Sequence, residues 1–233
     1  MPSRYTAQTR LPEINIEGQK KLAASSVMIV GCGALGSPIA MQLAAAGVGH
    51  ITLVDFDTIE ISNLQRQIFF RQAEAGESKA HTLAGRIKDL NEEIEVIPIN
   101  RMATSKWLDS LSSLPDMIVD AADNPATTSL LEKYCIGNSI PLSTAGVSEW
   151  KGQVYTWRPG AIPFSDIIPI PADDTGILPC SIAGIFGPLA ILVASVQASE
   201  ILKTLLGIGA TFTNRLFTVD LLDNSFNHWE LDM

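Results

Sequence analysis

Gly31-x-Gly33-x-x-Gly36 is the first stretch of this sequence whose residue types and spacing suggest chemistry. Where side chains are missing, backbone N–H groups can approach a phosphate closely. Asp55 closes a later apolar run, Ile51 to Val54, where a carboxylate can accept hydrogen bonds from ribose hydroxyls. Together these residues point to a bound nucleotide. A plainer reading also exists: the glycines make a tight turn for close helix–strand packing, and Asp55 is merely solvated. No GxxxxGK[ST] loop occurs, which excludes a Walker-type ATPase. Taken alone, the glycines and Asp55 favour an NAD(P)-dependent oxidoreductase, although no Tyr-x-x-x-Lys pair or convincing catalytic histidine supports one.

The elements around these residues make the glycine pattern meaningful. Ser26 to Val30 is a short β-branched run, expected as a buried parallel strand running straight into Gly31. A helix follows to about Ala46, closed by Gly47, and Ile51 to Val54 is the second strand of a βαβ unit. Lys79 to Asn91 reads as a helix, and Ile94 to Ile97 as a strand ended by Pro98. Asp116 to Asp120 is a strand opening onto Asp123-Asn124-Pro125, with Asn124 as N-cap and Pro125 in the first helical turn. Ile140 to Ala145 is the next strand. This alternation predicts an α/β fold: a Rossmann-like, doubly wound, mostly parallel sheet with helices on both faces. The C-terminal part differs. Gly152 to Trp157 reads as a strand, residues 158–181 as a proline-rich loop, 182–206 as a long helix, and 216–220 and 226–231 as two further strands forming an antiparallel extension. No linker cleanly separates two domains, so residues 1–233 are expected to form one, with a helical lead-in over 1–25 and a nucleotide-binding core over 26–145.

Residues 47–79 then narrow the choice. Asp55-Phe56-Asp57, Ser62-Asn63-Leu64-Gln65-Arg66-Gln67 and Lys79 strongly resemble the ATP-binding core of the ThiF, MoeB and HesA family, bacterial relatives of the ubiquitin-activating enzymes. Asp120-Ala-Ala-Asp123-Asn124 matches the later acidic signature, and Cys180-Ser-Ile-Ala-Gly184 with Gly187-Pro188 and Gln197-Ala-x-Glu200 matches the C-terminal helix region. Arg4-Tyr5 and Glu17-Gly18-Gln19 resemble the lead-in, so the likeness covers nearly the whole chain. It implies ATP-dependent adenylation of the C-terminal glycine of a small ubiquitin-like sulfur-carrier protein ending in Gly-Gly, with release of pyrophosphate. It also implies that residues 146–233 bind the carrier and that the protein is a homodimer.

The residue types suit that reaction. A carboxylate attacks the α-phosphorus of ATP, so two negative groups meet and cations must offset their repulsion. Under the resemblance, Arg66 forks phosphate oxygens, Lys79 supplies a compact charge, and Asp123 holds Mg²⁺. Asn63 and Gln67 donate to phosphate or orient the cations, and Asp55 and Asp57 fix the nucleoside and the charge balance. The nucleotide-binding set is therefore Gly31, Gly33, Ala34, Gly36, Asp55, Asp57, Ser62, Asn63, Leu64, Gln65, Arg66, Gln67, Lys79, Asp123 and Asn124. Each has a plainer reading: Arg66 and Lys79 as surface cations, Asp123-Asn124 as a turn and cap, Asp57 as a loop residue.

Several positions depart from the family pattern. Relatives usually carry Arg-x-x-Arg near the N-terminus, the second arginine reaching ATP from the neighbouring subunit, whereas here the stretch is Arg4-Tyr5-Thr6-Ala7. Arg10 is the nearest replacement, and activity depends on whether it serves. Ala34 stands where a glycine is common, a change tolerated if its φ is negative. No Cys-x-x-Cys pair occurs, so no zinc site is expected. Cys180 sits where some relatives carry a cysteine that bonds the carrier; the plainer reading is a small apolar residue before a helix. Cys32 and Cys135 read as structural.

Bulk properties agree with this picture. The net charge is −9, with 25 acidic and 16 basic residues, which disfavours nucleic acid as main partner. The N-terminal MPSRYTAQTR has no apolar core, and three scattered cysteines suit a reduced compartment, so the expected location is cytoplasmic. In the apolar stretch 182–206, Gln197, Glu200 and Lys203 recur every third residue and are read as one wetter face of a buried helix, not a membrane span.

Overall fold

The computed structural model describes residues 4–168 and 184–232. A central strand, β1 (Ser26–Val30), organises it. β1 pairs in parallel with β2 (His50–Val54) on one side and β4 (Met117–Asp120) on the other, so Val27 faces both Ile51 and Met117. β3 (Glu95–Ile99) extends the sheet beyond β2, and β5 (Leu142–Ser148) extends it beyond β4, both in parallel. Three antiparallel strands follow: β6 (Lys151–Trp157), β7 (Arg215–Asp220) and β8 (Ser225–Glu230). One eight-stranded sheet results, in the order β3-β2-β1-β4-β5-β6-β7-β8. The sequence expectation of a parallel core with an antiparallel C-terminal extension is borne out.

Strand alternation sorts the core into two layers. Val27 and Ile29 face a layer built with Leu22, Ile39, Leu43, Leu83, Ile87, Val193 and Ile201. These come from α1 (Asn15–Ala24), α2 (Gly36–Ala46), α3 (Lys79–Leu90) and the long helix Gly187–Leu206. Met28 and Val30 face the other layer, with Leu108 of α4 (Ser105–Leu108) and Leu131 and Cys135 of α5 (Pro125–Asn138). A short α6 (Phe164–Ile167) adds Phe164 to it, and the long helix is α7. Strand succession reverses between β1 and β4, the switch point where open α/β sheets leave a crevice at the carboxyl ends of their strands.

Four expectations change. Pro98 does not end β3 but lies within it, opposite Leu53; β3 is an edge strand, where a missing N–H breaks no ladder. β5 runs on to Ser148 because it continues into a tight hairpin with β6, turned at Glu149 with φ 52°. α7 begins at Gly187, not residue 182, because Ile185 bridges Glu149 and Phe186 N–H donates to the Glu149 carbonyl at 2.9 Å. The polar triplet on α7 is not a wet face either. Gln197 and Glu200 are fully buried. Gln197 Nε2 donates to the carbonyls of Asp120 (3.3 Å) and Ser143 (3.1 Å), joining the ends of β4 and β5, and Glu200 pairs with Lys203 and accepts from Phe212 N–H. α7 is long and apolar enough to cross a membrane by length and composition, and it packs here against α1, α2, β5 and β6.

Candidate functional site

The three glycines after β1 serve three different needs. Gly31 has φ +96°, a conformation L-residues avoid, and a Cβ there would sit 2.4 Å from the Ala121 carbonyl oxygen. Gly36 opens α2, and its Cβ would sit 1.8 Å from the Gly31 oxygen. Gly33 is different: a Cβ would meet only the Gln67 side chain, at 3.4 Å. Gly31 and Gly36 thus bind the loop into the backbone stack, while Gly33 leaves space open to a ligand. Ala34 is not among the residues with positive φ, which is why alanine is tolerated. No side chain caps α2, so the positive end of its dipole faces the loop, although Ser37 N–H already donates to the Gly33 carbonyl at 3.1 Å and Pro38 carries none.

Asp55 holds this loop in place. Its Oδ2 accepts the Cys32 N–H at 2.6 Å and its Oδ1 the Asp57 N–H at 2.8 Å. Burial raises its pKa, while those two bonds and Lys79 hold it down. The carboxylate therefore acts first as a clasp between β2 and the glycine loop, with lone pairs to spare for a ribose. Asp57 in turn receives Lys79 Nζ at 2.8 Å, and the Lys79 side chain is only 7% exposed. Burying a cation at the first turn of α3 requires such a partner.

Arg66 and Gln67 reach the same cleft from a tight turn. Asn63 O accepts both of their N–H groups, at 3.1 and 2.9 Å, and Arg66 Nη1 donates to Ser62 O at 3.3 Å. Ser62, Asn63, Leu64 and Gln65 build this turn but do not line the cleft. Ser62 Oγ bonds Glu60, Asn63 Nδ2 bonds Ser62, Leu64 packs on the core, and Gln65 Nε2 donates to Ile185 O at 3.4 Å. Gln67 is buried with its Oε1 unpartnered, and it is its donor Nε2 that lies against Gly33.

Across the switch point, Asp123 is exposed on the cleft and Asn124 caps α5, its Oδ1 accepting Thr127 N–H at 2.9 Å. Beneath them Asp120 is buried with its pKa raised to about 7 by desolvation, against the bonds from Thr128 and Ala122. The cleft encloses about 290 Å³ and is lined by three cations, Arg66, Lys79 and Arg101, and three carboxylates, Asp55, Asp57 and Asp123. Gly31, Gly33, Ala34, Gln67 and Asn124 also line it, whereas Gly36 supports it from behind. Locally balanced charge lets a chain of net −9 receive a polyphosphate. Arg101, Met102 and Phe56 also line the cleft; sequence reasoning quoted Phe56 only within a matching motif and assigned Arg101 and Met102 nothing, because a lone arginine after a strand has no motif.

One expected residue falls elsewhere, and another is not among the described residues. Arg10 is exposed in the N-terminal segment, where Gln8 and Gln19 bond the Ala46 carbonyl at the C-terminal end of α2. That is the opposite end from the glycine loop, about 16 Å along an 11-residue helix. Arg10 therefore does not line its own chain's cleft. Cys180 lies outside the described residues. Cys32 and Cys135 are free and buried, and burial pushes both thiols up, Cys135 to about 12, as suits structural cysteines. Among the described residues no three His, Cys, Asp or Glu side chains gather into a metal site. Asp123 could hold a cation only together with phosphate oxygens and water.

The profile of the ThiF family matches residues 5–232. This chain belongs to the ThiF family. Among curated relatives, "Adenylyltransferase and sulfurtransferase MOCS3" of Bos taurus is 36% identical over 224 residues, covering 96% of this chain and 49% of that protein. The Dictyostelium discoideum protein of the same name is 39% identical over 204 residues, 87% of this chain and 48% of its own length. This ThiF-family chain thus spans about half the length of those relatives. Its fold matches the crystal structure of E. coli MccB with ATP at a TM-score of 0.83 and 21% identity, covering 98% of this chain and 72% of that one. It matches that of SeMet PaaA at 0.81 and 22%, with the same coverage.

Proposed function

We propose that this chain adenylates the C-terminal glycine of a small ubiquitin-like sulfur-carrier protein, using Mg-ATP and releasing pyrophosphate. One observation carries the reading: an uncapped helix start, Arg66, Lys79 and Asp123, drawn from four separate segments, meet on one cleft. Loop N–H groups and Gly33 receive the phosphates, and Asp55 holds the loop while turning spare lone pairs to the ribose. Arg66 and Lys79 offset the charge that builds as the carrier carboxylate approaches the α-phosphorus. Mg²⁺ on Asp123 would neutralise phosphate oxygens of the leaving pyrophosphate. Membership of the ThiF family and the MOCS3 relatives support adenylation over the oxidoreductase alternative.

The reading includes a homodimer, with Leu11 and Ile16, 51% and 66% exposed, suited to a subunit contact. It also includes a cytoplasmic location, which the free, buried Cys32 and Cys135 support. Light scattering should give twice the chain mass; a monomer at micromolar concentration would count against the dimer. A second reading, a module that binds nucleotide or carrier without chemistry, is favoured by Ala7, which stands where relatives usually carry an arginine. ATP–pyrophosphate exchange with Gly-Gly-ended carriers decides between them. Carrier-dependent exchange supports the enzyme; ATP binding without exchange supports the module.

A further inference from the structure

At the end of the cleft away from the phosphate loop, the structure leaves apolar and planar groups exposed. Phe56 follows Asp55 off β2, and Met102 follows β3; they are 53% and 55% exposed and both line the cleft. Large apolar side chains left open beside a cleft call for an occupant. Backbone pairing brings these two segments together, since Asp55 N–H donates to Ile99 O at 3.1 Å and Arg101 N–H to the same oxygen at 3.0 Å. That tight turn projects Arg101. Its guanidinium carbon lies over the Trp107 ring, 5.7 Å from the centroid. Trp107, on α4, is partly buried and does not itself line the cleft. Among the described residues Arg101 has no carboxylate partner, in contrast to Lys79 with Asp57.

A guanidinium backed by an indole on one side, lining a cleft on the other, and flanked by Phe56 and Met102 is a stacking surface. Its place in the sheet decides what stacks there. The phosphate loop leaves β1, the ribose-facing Asp55 leaves β2, and Arg101 leaves β3, so the three occur in the order phosphate, sugar, base. We propose that Arg101, positioned by Trp107, is the platform on which the purine of the bound nucleotide stacks, and that it is not a third phosphate cation. The proposal rests on the nucleotide-binding reading above and adds the base subsite to it. Stacking is tolerant of base identity but grows with ring area, so purine triphosphates bind better here than pyrimidine ones.

Calorimetric titration of the full-length chain with Mg-ATP, AMP and tripolyphosphate tests this, comparing wild type with Arg101→Ala, Arg101→Lys and Trp107→Leu. Arg101→Ala is expected to weaken ATP and AMP by the same factor, about tenfold, and to leave tripolyphosphate unchanged. Arg101→Lys keeps the charge but loses the plane, and is expected to behave like Arg101→Ala; Trp107→Leu is expected to give a smaller loss of the same pattern. Circular dichroism of each variant separates these losses from misfolding. Equal loss of ATP and tripolyphosphate with AMP spared, or rescue by lysine, would make Arg101 a phosphate cation and overturn the platform. Unchanged affinities in Arg101→Ala would overturn it too, while leaving the adenylation reading intact. Wild-type protein with no affinity for ATP would overturn both.

Discussion

Gly36→Ala is a small change that tests the phosphate loop most sharply. Helix preference alone says that alanine should stabilise α2, by up to about 1 kcal/mol. The structure says the opposite. The new Cβ would stand 1.8 Å from the Gly31 carbonyl oxygen, where a carbon and an oxygen need roughly 3.3 Å. The obstacle is backbone, and it cannot retreat freely, because Gly31 is itself held by its N–H bond to the Val54 carbonyl at 2.8 Å. The loop and α2 must therefore part by more than about 1 Å. Overpacking of this kind costs about 1–3 kcal/mol, leaving a net loss of up to about 2 kcal/mol after the full helix gain. For a chain of this size, that lowers Tm by up to roughly 8 °C. A shift of about 1 Å at the phosphate site should also lower exchange activity by up to about 100-fold. Gly85→Ala is the control: Gly85 lies in α3 with nothing within 4 Å of its Cβ position, so this variant should gain about 0.4–1 kcal/mol. Differential scanning calorimetry and ATP titration read both variants. Wild-type Tm and ATP affinity in Gly36→Ala would refute the argument that backbone packing fixes the loop.

Lys79→Ala should lower carrier-dependent exchange by at least about 100-fold with little change in far-UV circular dichroism, since its partner Asp57 is half exposed and tolerates solvent; full activity in this variant would count against its role. Asn124→Ala removes the cap on Thr127 N–H and should cost about 1 kcal/mol in urea unfolding. Asp120 gives a pH prediction. With its folded pKa raised to about 7 from 3.8, the native state keeps a proton that the unfolded chain has lost between those values. Stability from this group therefore falls as pH rises through that window, by up to about 1.4 kcal/mol per unit, and levels off above it. Asp120→Asn should flatten the slope of Tm against pH between 4 and 7; an unchanged slope would show that Asp120 is not its source.

The most legible parts were those in which one local rule governs. Ser26 to Val30 is buried on both faces and reads as a strand from its branched residues alone. Asn124-Pro125 starts α5 because cap and first-turn proline are local devices. What escaped depended on distant partners. Gln197 and Glu200 look like a solvated stripe until the Asp120 and Ser143 carbonyls are brought to Gln197, and Phe212 N–H and Lys203 to Glu200. Pro98 signals a strand end in sequence, but being at the sheet edge cancels that signal. Ser62 to Gln65 were grouped with the nucleotide contacts through the family resemblance; here they frame Arg66 without themselves lining the cleft. Asp55 was read as facing a sugar, and its second task, holding the Cys32 and Asp57 N–H groups, was not legible. Arg101 had no signal at all, since only the β2–β3 pairing places it beside Phe56.

The packing of α2 against α7 bears on the order of assembly. During synthesis β1, α2 and β2 emerge early, but the helix that covers α2 is made more than 140 residues later than the end of α2. Until α7 docks, one apolar flank of α2 faces water. β1 likewise waits for β4 to fill its second side, so the sheet closes through distant pairings, which slow folding. β5 and β6 form a local hairpin that can pair early, whereas β7 and β8 follow α7 in the chain and can join β6 only after it is made. The nucleotide loop, though encoded near the start of the chain, would thus be among the last parts to become rigid. A nascent chain halted before residue 187 should bind ATP poorly even with every phosphate contact already translated.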